Sequence, residues 1–307
     1  VGNQAYSSAN YAALRELSSL VAQKASASYL EVCYGANSQG AWQAGVVPHR
    51  GPGLSALDDV GLDAKAMLES PLSAYLLLGL EAEHDVWDTA AALQSLGQAD
   101  SVTVLSAFVT DTMRNYADVL LPIAPFTETS GSMVNVFGMR QSYRAAVKPL
   151  GEARPAWKVL RVLANELEVE DSEYIDLAQL TAAFLEAQEA TPVQPAAVTI
   201  DLAAAQQGLQ RVADAPIYAV DSLVRRAAPL QQRADALPAA VYLSSQTAAS
   251  LQLQDGDQVL VEQGAGSAQL PAVVDDRVAS NTIYIPAGTV GSETLGPLNG
   301  AATVKRV

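Results

Sequence analysis

The first candidate for chemistry is a glycine-spaced segment, Gly35 to Gly40, which follows a predicted strand. Its glycine spacing is that of a phosphate-binding loop. However, Ala41 and Trp42 stand where such a loop needs a lysine to reach the phosphate and a hydroxyl to bind Mg²⁺. We therefore interpret these glycines as serving a tight strand-to-helix turn, with nucleotide binding as the weaker alternative.

The two histidines offer little basis for metal binding or acid–base catalysis. His49 and His84 are far apart in the sequence, and neither stands in an HxxxH or HExxH spacing. We expect both on the surface or in loops. The chain also contains no G-x-S-x-G motif, so a serine nucleophile on a strained elbow is not predicted.

The single cysteine, Cys33, limits redox chemistry in this chain. One thiol can neither close an internal disulfide nor hold an iron–sulfur cluster, which needs about four thiolates. Because Cys33 lies in an apolar run, we expect a buried, inert thiol. The acidic run from Glu168 to Glu173 lacks the order of a calcium loop and is predicted to be a solvated helix end. No catalytic, cofactor-binding or metal-binding residue is predicted.

Composition sets the class of protein. The 307 residues are half apolar, enough for about two globular domains of ~150 residues. The net charge of −15 disfavours nucleic acid as a partner, because it repels phosphate backbones. The chain contains no run of 18 consecutive apolar residues, so no membrane span is predicted. The chain opens at Val1 without a signal-peptide pattern, so we expect a cytosolic-type protein cut from a longer one.

The elements that position these residues alternate between helix and strand in the first part of the chain. Short apolar runs predict buried strands from Tyr29 to Tyr34, from Ala74 to Gly79 and from Val102 to Leu105. Apolar residues at helical spacing predict four helices: residues 9 to 23 capped by Ser8, a helix capped by Asp85 that runs through Leu96, one opened by Pro155, and residues 172 to 188. This alternation predicts a Rossmann-like α/β domain, with a parallel sheet covered on both faces.

The pattern changes in the last third of the chain. Residues 191–237 are rich in Pro, Gln and Ala and are predicted to be a connector. Short β-rich runs punctuated by Gly and Pro follow, including a tight turn at Asp255-Gly256. The predicted domains are therefore an α/β domain at 1–190 and a β-barrel at 238–307.

Several blocks resemble a known superfamily. Residues 116–122 (YADVLLP), 128–131 (ETSG) and 135–141 (NVFGMRQ) resemble a signature of the molybdopterin oxidoreductases: ADVVLP, an acid, Gly-Thr, Asn, then Gly-Arg-x-Gln. Four more blocks are similar to the G-subunit family of bacterial NADH:quinone oxidoreductase, respiratory complex I: residues 36–41 (ANSQGA), 149–163 (PLGEARPAWKVLRVL), 216–221 (PIYAVD) and 223–227 (LVRRA). Together they span nearly the whole chain.

The resemblance implies a fold and an assembly. The G subunit has a cysteine-rich N-terminal part that binds iron–sulfur clusters and a molybdopterin-enzyme-like body, and this chain corresponds to the body. The C-terminal part would then be a double-psi-type β-barrel, which residues 251–261 resemble. The implied partners are other peripheral-arm subunits at the cytoplasmic face of the inner membrane, with the clusters in the missing N-terminal region.

The signature residues are interpreted as structural, with Arg140 pairing with a nearby acid and a relict ligand site as the alternative. They are Glu128, Gly131, Asn135, Gly138, Arg140 and Gln141.

One departure from the superfamily bears on cofactor binding. Pterin enzymes typically present Gly-x-Asn-Pro after the strand that corresponds to residues 74–79, where a dinucleotide's phosphates are accepted. Here residues 79–85 read GLEAEHD, and the three carboxylates would repel a diphosphate. The G-subunit family is itself understood to carry no pterin. We therefore expect a scaffold with no redox centre of its own, inactive in isolation but part of an NADH:quinone oxidoreductase. The alternative is the cofactor-binding half of a molybdopterin-dependent oxidoreductase.

Overall fold

The structure is a computed structural model that describes residues 2, 5, 6, 8, 10–33, 35–187 and 208–307. Its α-helices are α1 Tyr11–Lys24, α2 Ser38–Gln43, α3 Ala64–Glu69, α4 Ala82–Asp85, α5 Thr89–Gln98, α6 Asp111–Tyr116, α7 Ala156–Glu166, α8 Leu177–Ala187, α9 Ser222–Arg226, α10 Ala228–Gln231 and α11 Ser245–Ser250. Its strands are β1 Ala74–Leu78, β2 Ser101–Ser106, β3 Val119–Pro122, β4 Gly131–Val134, β5 Arg140–Tyr143, β6 Gln210–Val212, β7 Val241–Leu243, β8 Gln258–Gln263, β9 Gly266–Val274, β10 Thr282–Tyr284, β11 Gly300–Ala301 and β12 Thr303–Arg306. The predicted class, an α/β part followed by a C-terminal barrel, is confirmed.

Two compact units interleave along the chain. Unit 1 comprises Val1–Met67, Leu105–Ala107 and Leu121–Ala203, and unit 2 comprises Leu68–Val104, Phe108–Leu120 and Ala204–Val307. The sequence instead predicts consecutive domains at 1–190 and 238–307, and these boundaries stay a prediction. Strand β6 lies inside the predicted connector, so part of that segment belongs to the barrel.

The α/β part contains a parallel three-stranded sheet in the order β1-β2-β3. The middle strand β2 is buried, with Val102 and Val104 at 1% and 0% exposure. Strand β1 lies at the edge, and Leu76 and Leu78 are about half exposed, at 49% and 48%. The expectation that each strand is buried is therefore wrong for β1, because Ala74, Leu76 and Leu78 alternate along the strand and lie on a face that stays exposed.

The N-terminal part of unit 1 departs most from the predicted pattern. Helix α1 begins at Tyr11, and Asn10 rather than Ser8 occupies its N-cap. Residues 29–33 form no β-strand, and Tyr34 lies outside the described residues. Glu31 instead joins this segment to α1, accepting a hydrogen bond from the Tyr11 hydroxyl and pairing with Arg15 at 3.2 Å. The run is apolar enough for a strand, but side-chain contacts to α1 hold it.

Helix starts are shifted from the predicted positions by local hydrogen bonds. Helix α5 is capped by Asp88, whose Oδ1 accepts from the Ala91 amide at 3.0 Å, three residues after the predicted cap. Helix α7 follows Pro155 at its N-cap, as predicted. Helix α8 begins at Leu177 rather than at residue 172, and Gln188 lies outside the described residues.

The barrel is a seven-stranded sheet in the order β11-β6-β10-β7-β9-β8-β12. Its two outermost strands, β11 and β12, are separated in the chain only by Ala302, so the sheet is nearly closed. The pairs β6–β10 and β7–β9 are parallel, and the other pairs are antiparallel. Because closure leaves few free edges, nearly every strand pairs on both sides.

The barrel core consists mainly of aliphatic side chains, which alternate with more exposed residues along β8 and β9. In β8 every second residue, Val259, Val261 and Gln263, is buried. Leu243, Ile283, Ile285 and Leu295 are at most 1% exposed and complete the same cluster. The predicted turn at Asp255-Gly256 is present, with Gly256 at φ +85°.

No helix in the described part of the chain combines the length and apolar character needed to cross a membrane.

Candidate functional site

The glycine-spaced segment of unit 1 serves packing. Asn37 precedes α2, and its Oδ1 accepts a hydrogen bond from the Val134 amide of β4 at 2.8 Å. Gly40 is buried under Asn37, and a Cβ at position 40 would lie 2.2 Å from that oxygen. The role of Gly40 is therefore to let the Asn37 side chain tie α2 to β4. The predicted strand-to-helix turn is not formed, because residues 29–33 form no strand.

Cys33 lies in a partly exposed position rather than the buried one that the sequence predicts. Cys33 is half-buried, and its sulfur accepts weak hydrogen bonds from Tyr6 and Gln39 at 3.9 and 3.8 Å. His49 is exposed in a turn between Val47 and Arg50, as expected.

The signature residues of the superfamily build a hairpin. Asn135 Oδ1 accepts from the amides of Phe137 and Met139, both at 3.0 Å, and closes the turn between β4 and β5. Glu128 Oε2 accepts from the Leu150 amide at 3.0 Å. Arg140 is exposed, and no ion pair to an acid is found for it among the described residues, so the expected pairing is not seen.

The most concentrated set of charges lies in unit 2, where α4 follows β1. Four side chains form it: Glu81, Asp85, Arg225 and Arg226, hereafter the Glu81 network. Glu81 Oε2 accepts from Nε and Nη2 of Arg225 at 3.1 and 2.9 Å, and Glu81 Oε1 lies 2.7 Å from Arg226 Nη1. Arg225 Nη1 also pairs with Asp85 at 2.9 Å. Two carboxylates thus meet two guanidinium groups, and their formal charges cancel.

Burial distinguishes this network from the surface ion pairs. The Glu81 side chain is 1% exposed and that of Arg225 is 9% exposed. Arg225 Nη1 donates to the Ala219 carbonyl at 2.8 Å, and the Arg226 guanidinium lies 4.4 Å from the Phe108 ring centroid. Asp221 caps α9 by accepting from the Leu223 and Val224 amides, which fixes the helix that carries both arginines.

Glu83 completes the acidic stretch without an arginine. Its side chain is buried at 3% exposure, and its Oε1 accepts from the Thr110 hydroxyl. Thr110 also accepts from the Met113 amide at 2.9 Å and so caps α6. Burial, with Glu83 close by, raises the pKa of the Tyr116 hydroxyl. The sequence predicts that the three carboxylates repel a diphosphate by their charge. In the structure, Glu81 and Glu83 are in addition buried among protein groups.

A narrow cleft lies beside this network within unit 2. Its lining includes Glu83, His84, Arg211, Gly288 and Ser292, and its volume is about 10 Å³, space for about one water molecule. His84 lies in α4 and is partly buried, whereas the sequence predicts a surface or loop position. Burial, together with Arg225, lowers its pKa.

Arg211 is the largest fully buried side chain of the barrel, at 2% exposure. Its Nη1 donates to Gln263 Oε1 at 2.8 Å and to the Gly296 and Pro297 carbonyls at 2.9 and 3.2 Å. Burial lowers its pKa to about 10. These contacts tie β6 to β8 and to the loop before β11.

No group of three or more His, Cys, Asp or Glu side chains suited to a metal ion occurs in residues 35–187 and 208–307 or the described N-terminal positions. Sequence reasoning missed Arg225, Arg226 and Arg211. The first two stand in the LVRRA block that follows Asp221. Two adjacent arginines after a helix-capping residue are unusual in so acidic a chain, and this pattern could have indicated partners for buried carboxylates.

Comparisons with known proteins define the family. The family model described as Molybdopterin oxidoreductase matches residues 1–166, more than half of the chain. A second, described as Molydopterin dinucleotide binding domain, matches residues 218–303. The chain belongs to the molybdopterin oxidoreductase family.

Two curated relatives share most of the chain, and both are G subunits of NADH-quinone oxidoreductase. The one from Rhizobium meliloti (strain 1021), the second G subunit of that organism by its name, is 27% identical over 293 residues, covering 82% of this chain and 34% of the relative. The one from Streptomyces coelicolor (strain ATCC BAA-471 / A3(2) / M145) is 28% identical over 245 residues, covering 76% of this chain and 28% of the relative. The chain therefore spans about a third of the length of these relatives.

A solved structure shares the fold. Acetylene hydratase from Pelobacter acetylenicus aligns with a TM-score of 0.60 at 18% identity, covering 89% of this chain and 51% of that one. At this identity the likeness shows the fold alone.

The family implies a molybdopterin dinucleotide, whose diphosphate needs free hydrogen-bond donors and positive charge. The loop after β1 does not supply them. Glu81 and Glu83 are buried there, and the guanidinium groups of Arg225 and Arg226 already face Glu81. The adjacent cleft has space for about one water molecule. The residues of this loop therefore do not fit the dinucleotide.

Proposed function

We propose that this chain is the molybdopterin-oxidoreductase-like body of a G subunit and a scaffold of the peripheral arm of NADH:quinone oxidoreductase. In this role it carries no redox centre of its own. The iron–sulfur clusters belong to the cysteine-rich part of the G subunit, outside this chain. Its partners are other peripheral-arm subunits, which hold it at the cytoplasmic face of the inner membrane.

The observation that carries this proposal is the Glu81 network. The superfamily accepts phosphates in the loop after this strand, whereas here that loop carries a carboxylate at 1% exposure, held by two arginines. A body that fills this loop with its own ion pairs keeps the fold and gives up dinucleotide binding there. The similarity to two G-subunit sequences over 82% and 76% of the chain supports the assembly.

A scaffold acts by burying surface against its neighbours, and a stable contact typically buries ~1,200 Å² or more in total. In the native subunit, deleting the region that matches residues 1–190 should therefore impair assembly of the peripheral arm. The measurement is the amount of assembled complex on native gels, together with NADH oxidation in membranes. Recovery of fully assembled enzyme at normal activity would refute the scaffold role.

A second candidate is the cofactor-binding half of a molybdopterin-dependent oxidoreductase, which the dinucleotide-binding domain match at residues 218–303 favours. The two functions are separated by the metal and pterin content of the purified chain. The scaffold proposal expects no molybdenum by elemental analysis and no pterin fluorescence after denaturation. Stoichiometric molybdenum or pterin would establish the second candidate instead.

A further inference from the structure

The arginines of the Glu81 network have the composition of an oxyanion site. Two adjacent guanidinium groups are the usual means by which proteins bind carboxylate or phosphate. Arg225 presents Nε and Nη2 to one oxygen, and Arg226 presents Nη1 toward the other. In this chain the bound oxyanion is the side chain of Glu81.

Neighbouring groups hold both guanidiniums in place apart from Glu81. Arg225 Nη1 donates to the Ala219 carbonyl and pairs with Asp85, and Arg226 Nη1 donates to the Ser222 carbonyl at 2.9 Å. The Phe108 ring packs against the Arg226 guanidinium. The donors are therefore arranged by contacts that would remain if the Glu81 carboxylate were removed.

We propose that Arg225 and Arg226 form a self-occupied oxyanion site, in which Glu81 is the intramolecular ligand that keeps small carboxylates and phosphates out. This inference rests on the proposed function, since it states how the loop after β1 came to reject a dinucleotide's phosphates. Without Glu81, the same two arginines bind an oxyanion from solution.

The test is chemical rescue in the full 307-residue chain. Glu81→Ala removes the carboxylate and opens a cavity shaped for a small carboxylate or phosphate. Melting temperature is measured against increasing sodium acetate and sodium phosphate, with sodium chloride at matched ionic strength as the reference. We expect Glu81→Ala to melt lower than wild type in chloride, and acetate or phosphate to restore part of that loss in a saturable way.

Two matched variants separate a site from a general salt effect. Glu81→Gln is isosteric and neutral, so the amide fills the cavity, and we expect no response beyond that to chloride. Asp85→Asn removes a carboxylate from the same arginine but leaves Glu81 in place, so we expect no specific response either. In Glu81→Ala with Arg225→Gln added, the rescue should disappear.

Equal responses of Glu81→Ala to acetate, phosphate and chloride would overturn the proposal. So would a specific phosphate response in wild type that Arg225→Gln abolishes, because the site would then be open already. If Glu81→Ala is recovered unfolded, refolding yield in acetate against chloride is the readout, and equal yields overturn the proposal. None of these outcomes depends on assembly or on molybdenum and pterin content, so failure here is distinct from failure of the scaffold proposal.

Discussion

Removing one partner of the Glu81 network should expose the cost of an uncompensated buried charge. In Arg225→Met, Glu81 loses both hydrogen bonds to its Oε2 while its side chain stays buried at 1% exposure. Breaking a buried pair in this way typically costs about 3–5 kcal/mol, because the remaining charge has neither water nor a full counter-charge. Arg226 stays 2.7 Å from Oε1 and offsets part of this cost, so we expect about 3 kcal/mol, at the lower end of the range.

A double-mutant cycle isolates the pair itself. Arg225→Met, Glu81→Gln and their combination are compared by urea-induced unfolding followed by circular dichroism. Since the double variant leaves no unpaired charge between these two positions, it should be far less destabilised than the sum of the single variants. The expected coupling is about 2 kcal/mol or more, within the range measured for groups in one ion-pair network.

The Lys305–Glu262 pair is the matched control for this cycle. Its atoms lie 2.7 Å apart, as close as those of Arg225 and Glu81, but its side chains are 65% and 44% exposed. Lys305→Met and Glu262→Gln should therefore couple much more weakly, because water screens both charges. Equal coupling energies for the two pairs would refute the argument that burial sets the strength of the Glu81 network.

Three further predictions concern other parts of the chain. Since burial lowers the pKa of folded His84, the unfolded state takes up a proton more readily, and stability should fall as pH drops through 6.5. Between pH 7.5 and 5.5, the melting temperature of His84→Gln should therefore fall less than that of wild type. His49→Gln alters an exposed residue, and its melting temperature should fall as much as that of wild type. Gly40→Ala should destabilise the protein by about 1–3 kcal/mol, because its Cβ would displace Asn37 and leave the Val134 amide unpaired. Gly97 lies in α5, and a Cβ there would meet no atom within 4 Å, so Gly97→Ala should stabilise the protein by about 0.5–1 kcal/mol. Equal urea midpoints for the two variants would contradict both expectations. Leu243→Ala should cost about 2–5 kcal/mol, because Leu243 is fully buried in the barrel core, and a urea midpoint close to that of wild type would place it outside the core.

Local sequence patterns predicted those helices and strands whose formation depends mainly on neighbouring residues in the chain. Short β-rich runs punctuated by Gly and Pro predicted the barrel strands now seen as β8 and β9, because β-branched residues favour strands and Gly and Pro end them. Pro155 predicted the start of α7, since proline's fixed φ suits a helix start and its missing amide proton costs nothing there. The superfamily resemblance, carried by blocks such as ADVLLP and LVRRA, agreed with the family that the comparisons define.

Local patterns failed where two structures were compatible with the same residues. The apolar run at residues 29–33 satisfied the pattern of a buried strand, but Leu30 and Val32 are 41% and 48% exposed and the run joins no sheet. Asp85 was the predicted cap of α5, because aspartate suits a helix N-cap. The structure uses Asp88 as the cap, while Asp85 bonds the Glu81 amide and pairs with Arg225.

The sequence by itself determined the fold class, the family and the acidic character of residues 81–85. Only the tertiary structure decided what those acids do. Arg225 stands 144 residues from Glu81, and no periodicity or spacing rule connects positions that far apart. The fold brings α9 against the loop after β1, where Glu81 and Asp85 pair with Arg225 and Arg226. Glu83 accepts a hydrogen bond from Thr110 instead, so acids whose charge predicted electrostatic repulsion are held by protein groups. Charge is a property of the sequence, but whether a charge faces solvent, a ligand or another residue depends on which segments the fold packs against it.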